Sequence, residues 1–397
     1  MGPTSPLVIS GLLAIAVALL VGLVRVRWLA VKVLAGALAL VLGMTSGLVL
    51  VNDYYGYYRT WGDLGRDLSN AAPSGLVITS TRTAGKVRVR AGTVRTFDFA
   101  GASSGISRPG FVYLPPQYDQ PQYRHVRFPV LELLHGYPGK PSNWLYSLHV
   151  AAIVDRELAL RRLGPMVLVM APTSQGNAAQ ECLNSSRAQD ETFLTTDVRT
   201  DITRAFRVST DPAQWGLVGF SSGGYCATNL ALRNRAMFGS AASLDGYYQA
   251  GDGPAARILN NDPLLVAANS PVTEARGLAP GTAPIPSFWL SVGTGNADDT
   301  RQAKSFLDAL DPVARATLVT LAGQGHTFYA WQAALPTALT WSWQQLSPPD
   351  LRVQFPAGGS SAQLVVPPPP LKAHLPKEHP VRSHPITPET ARSASPR

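Results

Sequence analysis

"WGLVGFSSGGYCATNLAL", Trp215 to Leu232, is the stretch that decides the fold. It opens on an apolar run, "WGLVGF", short enough to be a buried strand. "GFSSG", Gly219 to Gly223, follows as a tight turn, and "YCATNLAL" then takes up helical spacing. Strand, sharp turn and helix are the context in which G-x-S-x-G lifts a serine hydroxyl above the edge of a sheet. Gly219 and Gly223 leave room beside the strained turn. The plain alternative is a strand-to-helix turn in a glycine-rich chain, and the flanking pattern argues against it. Ser221 is the candidate nucleophile, and Ser222 would contribute only a backbone N–H.

The same alternation extends outward. "GKVRVRAGTVRTFDFAG" (Gly85 to Gly101), "FVYLPPQY" (Phe111 to Tyr118), "FPVLELLHGYPG" (Phe128 to Gly139) and "PMVLVMAP" (Pro165 to Pro172) read as strands. So do "FGSAASLDG" (Phe238 to Gly246), "SFWLSVGTG" (Ser287 to Gly295) and "ATLVTLAG" (Ala316 to Gly323). "LHVAAIVDRELALRRL" (Leu148 to Leu163) and "LTTDVRTDITRAF" (Leu194 to Phe206) have helical spacing between them. Apolar strands alternating with helices predict an α/β fold, a mostly parallel sheet covered on both faces.

A serine hydroxyl needs a base, and the base needs an orienting acid. Of seven histidines three lie in the C-terminal 50 residues. His125 and His149 lack a strand-end setting, and His135 precedes the serine in a turn that would shape an oxyanion loop. His326, in "LAGQGHTFYAW" after the last strand candidate, is the expected base. The acid should lie at a strand end between Ser221 and His326. Asp298 in "SVGTGNADDT" is preferred, Asp299 is a close second, and Asp245 in "SLDGYY" is third. One of the Asp298–Asp299 pair should do no more than cap the next helix. The oxyanion would take the N–H of Ser222 and, from the turn "HGYPG", the N–H of Tyr137. No metal or cofactor is expected, since C-x-x-C and paired-histidine spacings are lacking.

The N-terminal part reads differently. "PLVISGLLAIAVALLVGLV" (Pro6 to Val24) and "LAVKVLAGALALVLGMTSGLVLV" (Leu29 to Val51) each approach the roughly 20 residues that cross a bilayer as a helix. A cleaved signal peptide fits poorly, because nothing positive precedes the first run and a longer one follows. A transmembrane hairpin over 1–61 is expected instead. Arg25, Arg27 and Lys32 at or near its tip place the tip in the cytoplasm and the later residues outside, in a multi-pass protein of the cell membrane. "NDYYGYYRTW" (Asn52 to Trp61) follows as an aromatic interfacial segment. Cys182 and Cys226, on the outer side, are expected to form a disulfide. Net charge is +9, but the basic residues are scattered and 28 of the 34 are Arg, which gives no nucleic-acid footprint. The remaining divisions are a polar connector and first strand over 62–94, a catalytic domain over 95–346 and a Pro-rich, disordered tail over 347–397.

Taken in order, "FVYLPPQY", "FPVLELLHGYPG" with "SNW" (Ser142 to Trp144), "ETFLTTDV" (Glu191 to Val198), "GFSSGGYCATNLAL", "SAASLDGYY" and "GHTFYAW" resemble the esterase D and mycolyltransferase branch of the α/β-hydrolases, over about Arg95 to Leu346. The resemblance implies an α/β-hydrolase fold and a serine hydrolase or acyltransferase acting on an ester. The mycolyltransferases carry an Asp-Gly-Leu-Arg type run, whose charges help hold a sugar, where this chain has His135, Gly136, Tyr137 and Pro138. That departure favours hydrolysis over transfer to a sugar or lipid alcohol. The expected activity is therefore that of an outward-facing serine esterase on acylated envelope lipids or glycolipids. A non-catalytic envelope-binding protein of the same fold is the third reading, and the serine–histidine set argues against it.

Overall fold

The structure, a computed structural model, describes residues 5–58, 61–68, 78–84, 87–173, 181–252, 255–279, 284–311 and 313–355. Among these, nine strands form one sheet: β1 (Ile78–Ala84), β2 (Val87–Ala100), β3 (Ser107–Leu114), β4 (Val130–Leu134), β5 (Val167–Met170), β6 (Trp215–Phe220), β7 (Ser240–Leu244), β8 (Ser287–Gly293) and β9 (Ala316–Leu321). Their order is β1-β2-β3-β5-β4-β6-β7-β8-β9. From β5 to β9 every neighbouring pair is parallel. The edge formed by β1, β2 and β3 is antiparallel, as is the joint between β3 and β5. The expected α/β fold with a mostly parallel sheet is therefore present. Strand β1 lies inside the segment read as a polar connector. Its sequence, "ITSTRTA", has almost no apolar alternation. The sheet thus begins well before residue 95, and that expected boundary falls within β2.

The central strands β4, β6 and β7 are buried at every position. Alternate side chains feed two cores, as the two-residue strand period requires. Leu217 of β6 and Val130 of β4 face one core, while Val218 and Leu131 face the other.

Two apolar helices open the chain, α1 (Pro6–Gly22) and α2 (Leu29–Tyr55), followed by the short α3 (Trp61–Leu68) and α4 (Ser142–Tyr146). Helix α5 (Val150–Ala159) covers one face of the sheet. Helices α6 (Val198–Ala205), α7 (Ser222–Arg233) and α8 (Ala297–Leu310) cover the other. The long α9 (Phe328–Leu346) joins α5 on the first face. The tail was expected from residue 347, but Pro349–Gln354 forms a further helix, α10, whose Leu351 is buried in the α5–α9 core. Residues 356–397 lie outside the described set.

Of the two apolar runs, α2 is long and apolar enough to cross a membrane, and α1 is the shorter apolar helix that packs beside it. Large side chains of α2, among them Leu34, Leu40, Met44 and Leu48, point away from the protein.

Candidate active site

Each parallel strand ends at the same edge of the sheet, so the turns after β4, β6, β7, β8 and β9 converge there. This is the edge at which open α/β sheets place their ligands. Ser221 sits between β6 and α7 with φ 56° and ψ −127°, a backbone that non-glycine residues seldom adopt. Such strain costs of order 1–3 kcal/mol and persists only where surrounding structure fixes it. Here the Ser221 N–H donates to the Leu244 carbonyl at 3.0 Å. The flanking glycines are required by contact. A Cβ on Gly219 would lie 1.8 Å from the Gly223 carbonyl oxygen, and one on Gly223 would lie 2.1 Å from that of Leu134.

His326 lies in the loop between β9 and α9. Its Nε2 is 2.9 Å from Ser221 Oγ. Its Nδ1 is 3.0 Å from Asp245 Oδ2 and 3.8 Å from Asp299 Oδ2. The Asp245 carboxylate is almost wholly buried at the end of β7, and the backbone there is also left-handed, with φ 56°. Close as it is, the Asp245 contact is off the N–H axis, and among the described residues neither carboxylate oxygen has an aligned donor. Catalytic hydrogen bonds are often loose in an empty site and tighten around substrate. Burial works against a charged His326 ring, yet the Asp245 contact and the charges of Asp245 and Asp299 outweigh it, so the imidazole pKa is raised. Asp299 is raised as well, by burial first and then by the negative charge of Asp245.

The structure separates the three candidate acids. Asp298 is exposed and pairs with Arg301 at 2.6 Å, on the solvent side of α8. Asn296, not either aspartate, caps that helix, accepting the Asp298 N–H. One residue of helix turns a side chain by about 100°. That rotation carries Asp299 back toward His326 and leaves Asp298 in solvent. Asp245, ranked third, is the carboxylate nearest the imidazole. Its signal in the sequence was a strand-end Asp followed by Gly.

The turn after β4 lies directly over Ser221. A Cβ on Gly136 would meet Ser221 Cβ at 2.9 Å, so only glycine lets the backbone of this turn come so close. The Tyr137–Pro138 peptide is cis. His135 is buried and its pKa falls to about 4 through desolvation, so the ring is neutral. The Thr173 N–H donates to its Nε2 at 3.1 Å, which leaves Nδ1–H to donate to the Gly136 carbonyl at 2.8 Å. His135 thereby ties the turn to the end of β5. Ser222, the first residue of α7, presents one of the backbone N–H groups that a helix start leaves without an intrahelical acceptor. Cys182 and Cys226 are joined in a disulfide that fastens the chain before Leu183 to α7, five residues beyond Ser221.

Residues 102–342, well over half of the chain, match the model of the Esterase family. The chain belongs to that family. An uncharacterized protein of Corynebacterium glutamicum is 28% identical over 259 residues, 60% of this chain and 58% of that protein. The match thus spans little more than half of the relative's length. Two solved esterase structures share the fold. An S-formylglutathione hydrolase from Agrobacterium tumefaciens has a TM-score of 0.55 at 18% identity, covering 68% of this chain and 99% of its own. A ferulic acid esterase has a TM-score of 0.53 at 21% identity, covering 64% and 99%.

Proposed function

We propose that this esterase is a membrane-anchored serine hydrolase, facing outward, that cleaves carboxylic esters of acylated envelope lipids or glycolipids. The observation that carries the chemistry is the run of contacts Ser221 Oγ, His326 and Asp245, at 2.9 Å and 3.0 Å. His326 Nε2 takes the hydroxyl proton as Ser221 Oγ bonds to the ester carbonyl carbon. The N–H groups of Ser222 and Tyr137 hold the resulting oxyanion. Collapse breaks the bond to the alkoxy oxygen, which leaves as the alcohol with the proton from His326. Water then attacks the acyl-enzyme with His326 as base, releasing the acid and restoring Ser221. Asp245 holds the imidazole tautomer and stabilises its charged form, with Asp299 adding charge from further away.

Anchoring is supported by α2. Its 27 residues extend about 40 Å at 1.5 Å per residue, more than the roughly 30 Å hydrocarbon core. Helix α1, at 17 residues, is at the short end of the spanning range. Rows of exposed leucine and valine of this kind are unfavourable in water and at home in lipid. The disulfide supports an oxidising, external compartment.

The test is a fluorophosphonate probe on the full-length protein, followed by an ester panel. The panel comprises a short p-nitrophenyl ester, a long-chain acyl glycolipid, a feruloyl ester and S-formylglutathione, each with and without an alcohol acceptor. The proposal expects Ser221-dependent labelling and release of free acid from the acyl glycolipid. Acyl transfer that outruns hydrolysis when alcohol is present would favour the transferase reading. Absence of Ser221 labelling would reject both.

A further inference from the structure

The segment "NDYYGYY", Asn52 to Tyr58, was expected to be an interfacial belt, yet part of it is turned into the protein. Helix α2 ends at Tyr55 and is capped by Gly56, whose φ of 75° turns the chain and whose N–H donates to the Asn52 carbonyl. The Asn52 side chain fixes the turn from both sides. Its Nδ2 donates to the Tyr58 carbonyl at 2.9 Å, and its Oδ1 accepts the Tyr58 N–H at 2.7 Å. The built turn then covers the residues on either side of His326. The Tyr54 hydroxyl comes 4.0 Å from where a Cβ on Gly325 would sit, and a Cβ on Gly56 would lie 2.6 Å from the Tyr329 ring. The Tyr57 ring meets Phe328 edge-on, with centroids 5.0 Å apart.

From Phe328 the ring contacts continue to both reacting residues. Phe328 meets Trp331 at 4.8 Å, and the Trp331 ring stands against His326 at 5.0 Å. Phe220, the residue before Ser221, contacts both Phe328 and Trp331. On the far side α3 lies against α4, which follows the oxyanion turn. Such ring pairs add about 0.5–1.5 kcal/mol each beyond the area they bury, so displacing one ring of the cluster costs contacts at its neighbours as well.

We propose that the Tyr54–Tyr57 turn at the end of α2 is a positioning element for His326, with Tyr57 acting through Phe328 and Trp331, so that the membrane anchor is part of the catalytic apparatus. The proposal rests on His326 being the general base. Its physical content is that the β9–α9 loop, cut by Gly323 and Gly325, needs an outside support to hold the imidazole at hydrogen-bond distance from Ser221. A shift of about 1 Å at a reacting group can lower turnover by about 100-fold.

The test uses full-length protein in phosphatidylcholine vesicles with p-nitrophenyl acetate, a substrate too small to reach the turn. Tyr57→Ala should lower kcat by about 10- to 100-fold with KM little changed, and Tyr57→Phe, which keeps the ring, should restore it. The acid limb of the pH–rate profile of Tyr57→Ala should move to lower pH, because a displaced ring loses the Asp245 contact. Gly56→Ala, which pushes the turn off Tyr329 without deleting a ring, should act in the same direction and serves where Tyr57→Ala does not fold. A kcat equal to wild type in either folded variant overturns the proposal, as does a loss carried by KM with the pH profile unmoved. His326→Ala separates the two readings. If it keeps activity, the base assignment is wrong; if it is inactive while Tyr57→Ala is not impaired, only the positioning role falls.

Discussion

Asp245 Oδ2 approaches His326 Nδ1 to 3.0 Å, and the two residues stand on turns after β7 and β9, with β8 between them. The carboxylate is nearly shut off from water, so its charge acts on the ring with little screening. Asp245→Asn should therefore reduce kcat by about 10³- to 10⁴-fold, the scale of amidating the orienting acid in a serine hydrolase. Asp299→Asn, 3.8 Å away and partly exposed, should cost less, and Asp298→Asn should leave turnover unchanged. Steady-state kinetics of the three variants decide it. A larger loss from Asp299→Asn than from Asp245→Asn would move the role to α8.

The pH dependence follows from the same geometry. On the proposed mechanism His326 must be neutral to accept the serine proton, so the rate falls as pH drops through its pKa. Negative charge nearby favours the imidazolium, and the pKa is raised above the ordinary 6.5. The acid limb of kcat/KM should therefore lie above pH 6.5 in the wild type. Removing the Asp299 charge lowers that pKa, so Asp299→Asn should extend activity toward acid. A limb that stays in place or moves to higher pH would mean that Asp299 does not act on His326.

Ser221→Ala should abolish hydrolysis and fluorophosphonate labelling together, whereas Ser222→Ala should keep most of both. Alanine at 222 retains the N–H at the start of α7, which is all that position is asked to supply. Equal losses from the two changes would show that the hydroxyl of Ser222 takes part.

The strand–turn–helix around Ser221 was legible because it is local: an apolar run, small residues where contact forbids a Cβ, then a helical period. His326 was singled out by its place after the last strand, and its Nε2 lies 2.9 Å from Ser221 Oγ. Which carboxylate stands nearest His326 was not legible, since Asp245, Asp298 and Asp299 all follow strands and the choice depends on how the turns after β7 and β8 pack against the turn after β9. Strand β1 escaped notice for a different reason, because a threonine-rich strand at a sheet edge carries little apolar alternation. The role of Tyr57 lay beyond the sequence altogether, as it depends on which surface the end of α2 docks against.

The disulfide spans 44 residues of sequence, including the nucleophile turn. Loop-closure entropy for a span of this length gives about 4 kcal/mol as an upper figure for its effect on stability. Cys182→Ser with Cys226→Ser should lower Tm clearly and weaken activity through loss of support to α7. Scanning calorimetry of the oxidised and double-serine proteins checks this, and an unchanged Tm would mean the bond adds nothing to the fold.

Topology can be tested with single thiols, because both natural cysteines are bonded to each other. Gln122 is exposed on the catalytic unit, and Val24, 85% exposed, lies at the turn between α1 and α2. If both helices cross, Gln122→Cys should react with a membrane-impermeant maleimide in intact cells, and Val24→Cys only after lysis. Arg25, Arg27 and Lys32 give the reason, since positive residues beside a short loop hold it in the cytoplasm. Labelling of both positions in intact cells would mean that α2, the helix between them, does not cross the membrane. Protection of Gln122→Cys until lysis would place the esterase inside, and would remove the case for an outer-envelope substrate.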